Sequence, residues 1–120
     1  MKVLIVDDSK MITMLVKDML TKAGHSAEAC ENGSLGLDHL DKDSNYDLIL
    51  LDWNMPVLDG PGFLKAFQTK AFNSIPIIMM TTENKPTIIK EALSLGAKEY
   101  IMKPFSSDIL FSKIEMLPKA

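Results

Sequence analysis

Residues 3–9, Val3-Leu4-Ile5-Val6-Asp7-Asp8-Ser9, give the clearest indication of the fold class of this 120-residue chain. Four consecutive apolar residues are typical of a strand that is covered on both faces of a sheet, and the amphipathic run that begins at Lys10 predicts a helix. Two further, mostly apolar runs occur at residues 47–51 and 75–80. The sequence therefore predicts buried parallel strands that alternate with helices.

Weaker strand patterns at residues 26–30 and 98–102 bring the number of predicted strands to five. A helical pattern follows each strand: the second helix comes after an Asn32-Gly33 turn, and Pro61 and Pro86 mark the first turns of the third and fourth. Five successive β-α units predict one α/β domain, a doubly wound parallel sheet with right-handed crossovers and helices on both faces.

The composition excludes several classes of protein. A net charge of -3, with Lys as the only basic residue type besides His, argues against a nucleic-acid surface and leaves the chain without bidentate arginine phosphate clamps. The single Cys30 cannot form an internal disulfide, and no Cys/His cluster has zinc spacing. No apolar run approaches the roughly 20 residues of a membrane span. We therefore expect a cytoplasmic domain that binds neither nucleic acid nor membrane.

Polar residues follow four of the predicted strands: Asp7 and Asp8 the first, Asp52 the third, Thr81 the fourth and Lys103 the fifth. Because ligands of open α/β sheets bind beyond the carboxyl ends of the strands, these side chains are expected in one pocket. Three carboxylates placed together repel one another unless a cation is present. Oxygen ligands without His or Cys favour a hard ion, so the sequence predicts a Mg²⁺ site beside a lysine and a hydroxyl.

These residues belong to motifs that carry a family resemblance. They are Val6-Asp7-Asp8-Ser9, Leu51-Asp52-Trp53-Asn54-Met55-Pro56, Asp59-Gly60, Thr81 and Lys103-Pro104-Phe105. In this order and spacing they resemble the receiver domain of two-component response regulators, essentially from end to end. The resemblance implies a flavodoxin-like sheet of order 2-1-3-4-5 with five helices, as a single receiver domain over residues 1–120. The chain is most similar to the chemotaxis regulators of that family.

The resemblance also implies a role for each residue of the pocket. Asp52 would accept a phosphoryl group from the phosphohistidine of a sensor histidine kinase or phosphotransfer domain, as carboxylate nucleophiles do. Thr81 and Lys103 would bind phosphoryl oxygens, and the Lys103-Pro104 peptide bond is expected to be cis. The expected Mg²⁺ ligands are Asp7, Asp8, Asp52 and the backbone carbonyl of Asn54.

Loss of the phosphoryl group is the second reaction that the resemblance implies. The protein would be a phosphoacceptor rather than an enzyme, with self-catalysed phosphorylation and autodephosphorylation. Asn54 and Glu83, two residues after Asp52 and Thr81, would tune that loss, so we expect a phosphorylated lifetime of seconds to minutes. A phosphatase is a possible further partner.

The output surface implied by the resemblance is the face formed by helix 4, strand 5 and helix 5. Thr81 and Tyr100 would couple phosphorylation to this face, and Ile89 and Lys113 are candidate contacts for a downstream protein, the flagellar motor switch if the chain acts in chemotaxis. Ile89 could equally be a core residue, and Tyr100 an ordinary edge-strand aromatic. We expect a monomer.

Other functions share parts of this pattern. The chain could be a receiver domain of a longer transcriptional or enzymatic regulator, or a receiver-like docking module that is never phosphorylated. A flavodoxin-like cofactor protein would need a glycine-rich phosphate loop where Asp7-Asp8 stands, and an aspartate-nucleophile phosphatase would need a second aspartate where Asn54 stands. Thr82 and Thr13 depart from residues common in the receiver family, which affects expected donor access and kinase preference.

Several remaining residues are given structural roles. Met11 and other methionines on core-facing positions are expected to pack in the interior. Cys30 is expected to be a buried thiol, and Trp53 a surface aromatic whose fluorescence reports on the pocket. His25 and His39 follow no metal-ligand spacing and are expected to be solvated or capping residues.

Overall fold

The computed structural model describes residues 1–82 and 85–117 of the chain. Over these residues, strands and helices alternate from one end to the other. The elements are β1 (Lys2–Val6), α1 (Lys10–Lys22), β2 (Ser26–Cys30), α2 (Gly33–Lys42), β3 (Leu48–Asp52), α3 (Gly60–Phe67), β4 (Ile77–Thr81), α4 (Pro86–Ser94), β5 (Glu99–Met102) and α5 (Ser107–Glu115).

The five strands form one sheet in the order β2-β1-β3-β4-β5, and every neighbouring pair is parallel. The predicted fold class and strand order are therefore confirmed. The strands predicted at residues 47–51 and 75–80 begin and end slightly later than expected, so Asp52 and Thr81 are the last residues of β3 and β4. The strand order reverses between β1 and β3, and ligand sites of such sheets lie at that position.

Each face of the sheet has its own hydrophobic core. One core contains Leu4, Val6, Ile49, Leu51, Ile77 and Met79 with apolar residues of α2, α3 and α4. The other contains Val3, Ile5, Leu48, Leu50, Ile78 and Met80 with apolar residues of α1 and α5. Successive residues of β1, β3 and β4 point alternately into one core and the other. Both faces of these strands are therefore buried, which explains why the strands are apolar throughout.

Side-chain caps fix where the helices begin. The Ser9 hydroxyl accepts from the backbone N–H of Ile12 at 3.3 Å and caps α1. The Asp59 carboxylate accepts from Gly62 N–H at 3.0 Å and caps α3. The Asp59-Gly60 pair therefore begins a helix.

Helix α1 buries a narrower stripe than its sequence suggests. Val16 and Leu20 are buried, but Met11 is 69% exposed, Met14 71% and Leu15 49%. The expectation that Met11 packs in the core is therefore wrong. Successive residues of a helix are rotated by about 100°, which places Met11 on the opposite side of α1 from Val16 and Leu20. The sheet covers only the side of the helix that carries Val16 and Leu20.

The environments of four other residues differ from expectation. Trp53 is only 7% exposed and packs in the α2–α4 core, so its assignment as a surface aromatic is wrong. Cys30 is half-buried rather than buried, since β2 is an edge strand. His39 Nε2 lies 2.5 Å from the hydroxyl of buried Tyr46, and His25 Nδ1 lies 2.9 Å from the chain's amino group. Neither histidine is a free surface residue or a helix cap.

Candidate phosphoacceptor site

Three carboxylates meet at the carboxyl edge of the sheet. Asp7 and Asp8 follow β1, Asp52 ends β3, and one carboxylate oxygen from each lies within 4.8 Å of the other two. Asp7 and Asp52 are buried, whereas Asp8 is exposed at the mouth of the site. Hard oxygen donors this close, with one of them open to solvent, fit a magnesium ion that keeps part of its water shell.

Lys103 supplies the positive charge next to these carboxylates. Its Nζ donates to Asp52 Oδ1 at 2.9 Å and to Asp7 Oδ2 at 3.1 Å, and its side chain is 9% exposed. The peptide bond between Lys103 and Pro104 is cis, as expected. One ammonium group therefore links the ends of β1 and β3 from the start of the β5–α5 loop.

The local electrostatics follow from burial and charge. Burial raises the pKa of Asp52 to about 6; the Lys103 hydrogen bond opposes this rise, and the charges of Asp7 and Asp8 add to it. Burial disfavours the Lys103 ammonium, but the hydrogen bond and charge of Asp52, together with Asp7, outweigh that effect and raise its pKa. At neutral pH the site therefore holds an ionised Asp52 beside a protonated lysine.

Hydrogen bonds fix both the carboxylate and the backbone N–H of Asp7. Its Oδ1 accepts from Ser9 N–H at 2.9 Å, and its own N–H donates to the Cys30 carbonyl at 3.0 Å. Because Oδ2 of the same carboxylate accepts from Lys103, each of its oxygens has a defined partner. The Asp7–Ser9 contact was not predicted, although an Asp two residues before a helix cap commonly makes such a turn.

Thr81 lies at the edge of the site toward β5. It is 1% exposed, and its carbonyl accepts from Lys103 N–H at 2.7 Å. The register pairs Met79 with Tyr100 and Thr81 with Met102. Alternate residues of a strand share a face, so the Thr81 and Tyr100 side chains lie on the same face of adjacent strands. This face of the sheet is the one covered by α2, α3 and α4, and Tyr100 packs against its core.

Asn54 and Thr82 follow the ends of β3 and β4. Asn54 is exposed, two residues past the end of β3, and Thr82 is also exposed. Glu83 lies outside the described residues. Thr13 lines a groove of about 250 Å³ between α1 and β2, which opens beside Asp7 and Asp8.

Two of the predicted output residues, Tyr100 on β5 and Lys113 on α5, are in contact with each other. The Lys113 ammonium lies 4.7 Å from the centre of the Tyr100 ring and 3.2 Å from Glu99 Oε1. Glu99 was not predicted, since sequence alone does not show which α5 residue faces which β5 residue. On α4, Ile88 packs against the core and Ile89 is half-buried.

The fold and this carboxylate site define a class of protein, and comparison with known families gives the same class. Residues 3–115 match the response regulator receiver domain, so the chain belongs to that family. Its relatives include proteins named CheY, the chemotaxis response regulator.

Individual relatives match over nearly their whole length. The chain is 37% identical to the chemotaxis protein CheY homolog of Campylobacter jejuni over 117 residues, covering 96% of this chain and 90% of the relative. It is 34% identical to CheY1 of Helicobacter pylori, covering 98% and 96%. The crystallised CheY4 of Vibrio cholerae superposes with a TM-score of 0.89 at 35% identity, and 98% of each chain is covered.

Proposed function

We propose that Asp52 accepts a phosphoryl group from a phosphohistidine on a sensor histidine kinase or phosphotransfer domain. The observation that carries the proposal is the placement of Asp52: a buried carboxylate, 2.9 Å from the Lys103 ammonium, with Asp7 and Asp8 close by. Family membership supports it, since receiver domains are phosphoacceptor signal transducers.

In the transfer, an oxygen of ionised Asp52 forms a new bond to phosphorus while the phosphorus–nitrogen bond of the phosphohistidine breaks. The imidazole leaves with the electron pair, and no electron transfer is needed. Because the pKa of Asp52 is about 6, the nucleophilic carboxylate predominates at neutral pH. Lys103 then exchanges a carboxylate oxygen for a phosphoryl oxygen, and the Thr81 hydroxyl donates to another.

The residues that would hold Mg²⁺ are Asp7, Asp8, Asp52 and the Asn54 carbonyl. When bound, the ion supplies positive charge that offsets repulsion between the carboxylates and the incoming phosphoryl oxygens. Asp8 is the exposed ligand of the three carboxylates and is therefore the first that an ion from solvent meets.

Signal output would proceed through the α4–β5–α5 face. A phosphoryl group adds roughly -1.5 to -2 charges, and attraction of the Thr81 hydroxyl to it changes the space on the face that Thr81 shares with Tyr100. Ile89 and Lys113 would contact the downstream protein. The names of the CheY relatives favour chemotaxis, with the flagellar motor switch as that partner.

The proposal extends to the setting of the protein. The chain would act as one cytoplasmic, monomeric receiver domain over residues 1–120, without contact to nucleic acid. None of the helices in residues 1–82 and 85–117 is long and apolar enough to cross a membrane. Phosphorylation would be self-catalysed, and Asn54 with Glu83 would set an autodephosphorylation time of seconds to minutes. A persistence of hours in Mg²⁺ would contradict that lifetime.

The test is the intact mass of the protein after incubation with acetyl phosphate, with and without Mg²⁺. We expect one added phosphoryl group on the wild type in Mg²⁺, none on Asp52→Asn, and a normal gain on Asp38→Asn, whose carboxylate is exposed on α2. If the wild type gains no mass from acetyl phosphate or from a phosphorylated histidine kinase, the chain is an unphosphorylated docking module.

A further inference from the structure

The β3–α3 loop, five residues after Asp52, contains an exposed apolar residue in a strained conformation. Val57 has φ 67°, and among the described residues it is the only one other than glycine with positive φ. Its side chain is 82% exposed, the largest value among the exposed large apolar residues of the described chain. Leu58 N–H donates to the Pro56 carbonyl at 2.7 Å and closes a three-residue turn centred on Val57.

This conformation is costly for valine. A β-branched side chain at positive φ is a genuine outlier, and turns of this kind are rare and strained. Glycine or asparagine adopts the same backbone conformation more easily. The Val57 methyl groups are exposed and make no stabilising contacts in the core. Neither the backbone conformation at this position nor the packing of the domain therefore explains why the residue is a valine.

The residues on both sides of Val57 impose the turn. The Leu58 carbonyl accepts from Gly33 N–H at 3.1 Å, and a Cβ added at Gly33 would lie 2.5 Å from that carbonyl oxygen. The Leu58 side chain packs against Gly62, where an added Cβ would lie 2.6 Å from Leu58 Cδ1. Before the turn, Trp53 is buried and its carbonyl accepts from Gly60 N–H at 3.0 Å. Val57 is therefore presented outward from a loop that is fixed at both ends.

We propose that Val57 is a docking contact for the histidine phosphotransfer domain or kinase domain that delivers the phosphoryl group to Asp52. This inference rests on the proposed function and deepens it by naming a residue that recognises the donor protein. Any protein that brings a phosphohistidine to Asp52 must approach the carboxyl end of β3 and the loop that follows it, and Val57 is the exposed apolar apex of that loop. An apolar side chain fits an apolar patch beside the phosphohistidine rather than the phosphoryl group itself.

Two substitutions separate docking from strain. Val57→Thr keeps the β-branch and nearly the same shape but replaces one methyl group with a hydroxyl, whereas Val57→Asn also relieves the backbone strain. We expect Val57→Asn to raise Tm by about 3 °C and Val57→Thr to leave it unchanged. Leu93→Thr, on the exposed surface of α4 near its carboxyl end, is the matched control.

The docking role of Val57 is tested by comparing a protein phosphodonor with a small-molecule phosphodonor. Phosphoimidazole carries the same phosphorus–nitrogen bond as phosphohistidine but has no protein surface. The protein donor is the phosphorylated histidine phosphotransfer domain that labels the wild type fastest in a panel of such domains. We expect both Val57 variants to accept from this domain about fivefold more slowly and from phosphoimidazole at the wild-type rate, with Leu93→Thr unchanged for both donors.

Each other outcome has a definite meaning. If the wild type and the Val57 variants accept from the protein donor at equal rates, Val57 is not a docking contact. If the variants are slowed equally with both donors, the docking role is also overturned, because the residue would then affect the transfer chemistry itself. Labelling of the wild type by phosphoimidazole but by no protein domain would overturn it too, and would leave Asp52 as a phosphoacceptor. Absence of labelling by any donor would instead overturn the proposed function.

Discussion

Lys103 Nζ lies 2.9 Å from Asp52 Oδ1, in a site where both side chains are almost completely buried. The same ammonium group also pairs with Asp7 at 3.1 Å. Without Lys103, three neighbouring carboxylates would have no fixed positive charge among the described residues of the site. The structure of the site therefore depends on this lysine before any phosphoryl group arrives.

Replacing Lys103 with methionine tests that dependence. Because a buried charge left without its partner is costly, we expect Lys103→Met to lower the free energy of unfolding by about 2 kcal/mol in EDTA at pH 7.5. Mg²⁺ should restore more stability to the variant than to the wild type. Lys70→Met, which removes an exposed pair with Asp41, should cost less than about 0.5 kcal/mol. Similar losses for the two variants in urea unfolding would contradict this.

The raised pKa of Asp52 predicts a pH dependence of stability in the absence of metal. Its pKa is about 6 in the folded protein and 3.8 as the ordinary value. Between these values the folded state binds more protons than the unfolded state, so stability falls as pH rises from about 4 through 6.

Asp52→Asn removes that titration. We expect the variant to be more stable than the wild type at pH 8 by about 1–2 kcal/mol, with a smaller gain at pH 4.5, measured by denaturant unfolding in EDTA. Asp38→Asn should show no such change with pH. A gain for Asp52→Asn that grows toward low pH would have the wrong sign.

Trp53 offers a direct probe of the metal site. It follows Asp52 in sequence and is 7% exposed within the α2–α4 core, so a change at the carboxylates should alter its emission. We expect a saturable fluorescence change on Mg²⁺ addition and, since a carboxylate ligand is lost, about tenfold weaker binding in Asp8→Asn. Asp18→Asn, on the exposed side of α1, should bind as the wild type does. An unchanged titration for Asp8→Asn would remove Asp8 from the ligand set.

The Lys113–Tyr100 contact should be measurable by a double-mutant cycle. With the ammonium 4.7 Å from the ring centre, we expect a coupling energy of about 0.5–1 kcal/mol between Lys113→Met and Tyr100→Leu in the unfolding free energy. The cycle of Lys113→Met with Glu99→Gln should lose its coupling at high salt, because that contact is an ion pair. No coupling in the Tyr100 cycle would mean that the two residues act independently.

The sequence predicts most of the fold and the centre of the site because both depend on simple rules. Consecutive apolar residues indicate buried strands, and polar residues after those strands must share one edge of a parallel sheet. Asp7, Asp52, Thr81 and Lys103 could be brought together by this argument alone. The cis bond before Pro104 followed from the family resemblance.

The remaining features depend on packing that periodicity does not encode. Trp53 is buried because the loop after β3 turns back over the core, and Met11 is exposed because the sheet covers only one side of α1. The Glu99–Lys113 contact depends on the rotation of α5 against β5, and the strain at Val57 on the fixed position of Leu58. None of these leaves a pattern in the local sequence.

The residues of the site come from both central and edge strands of the sheet. Asp52 ends the central strand β3, whereas Lys103 follows β5, an edge strand with a single neighbour. Backbone amides of edge elements commonly exchange with solvent through local opening, while those of central strands require global unfolding. Partial detachment of β5 would thus separate the lysine from the aspartate while the rest of the domain stays folded. Competence for phosphoryl transfer would then end at a lower temperature or denaturant concentration than the fold itself.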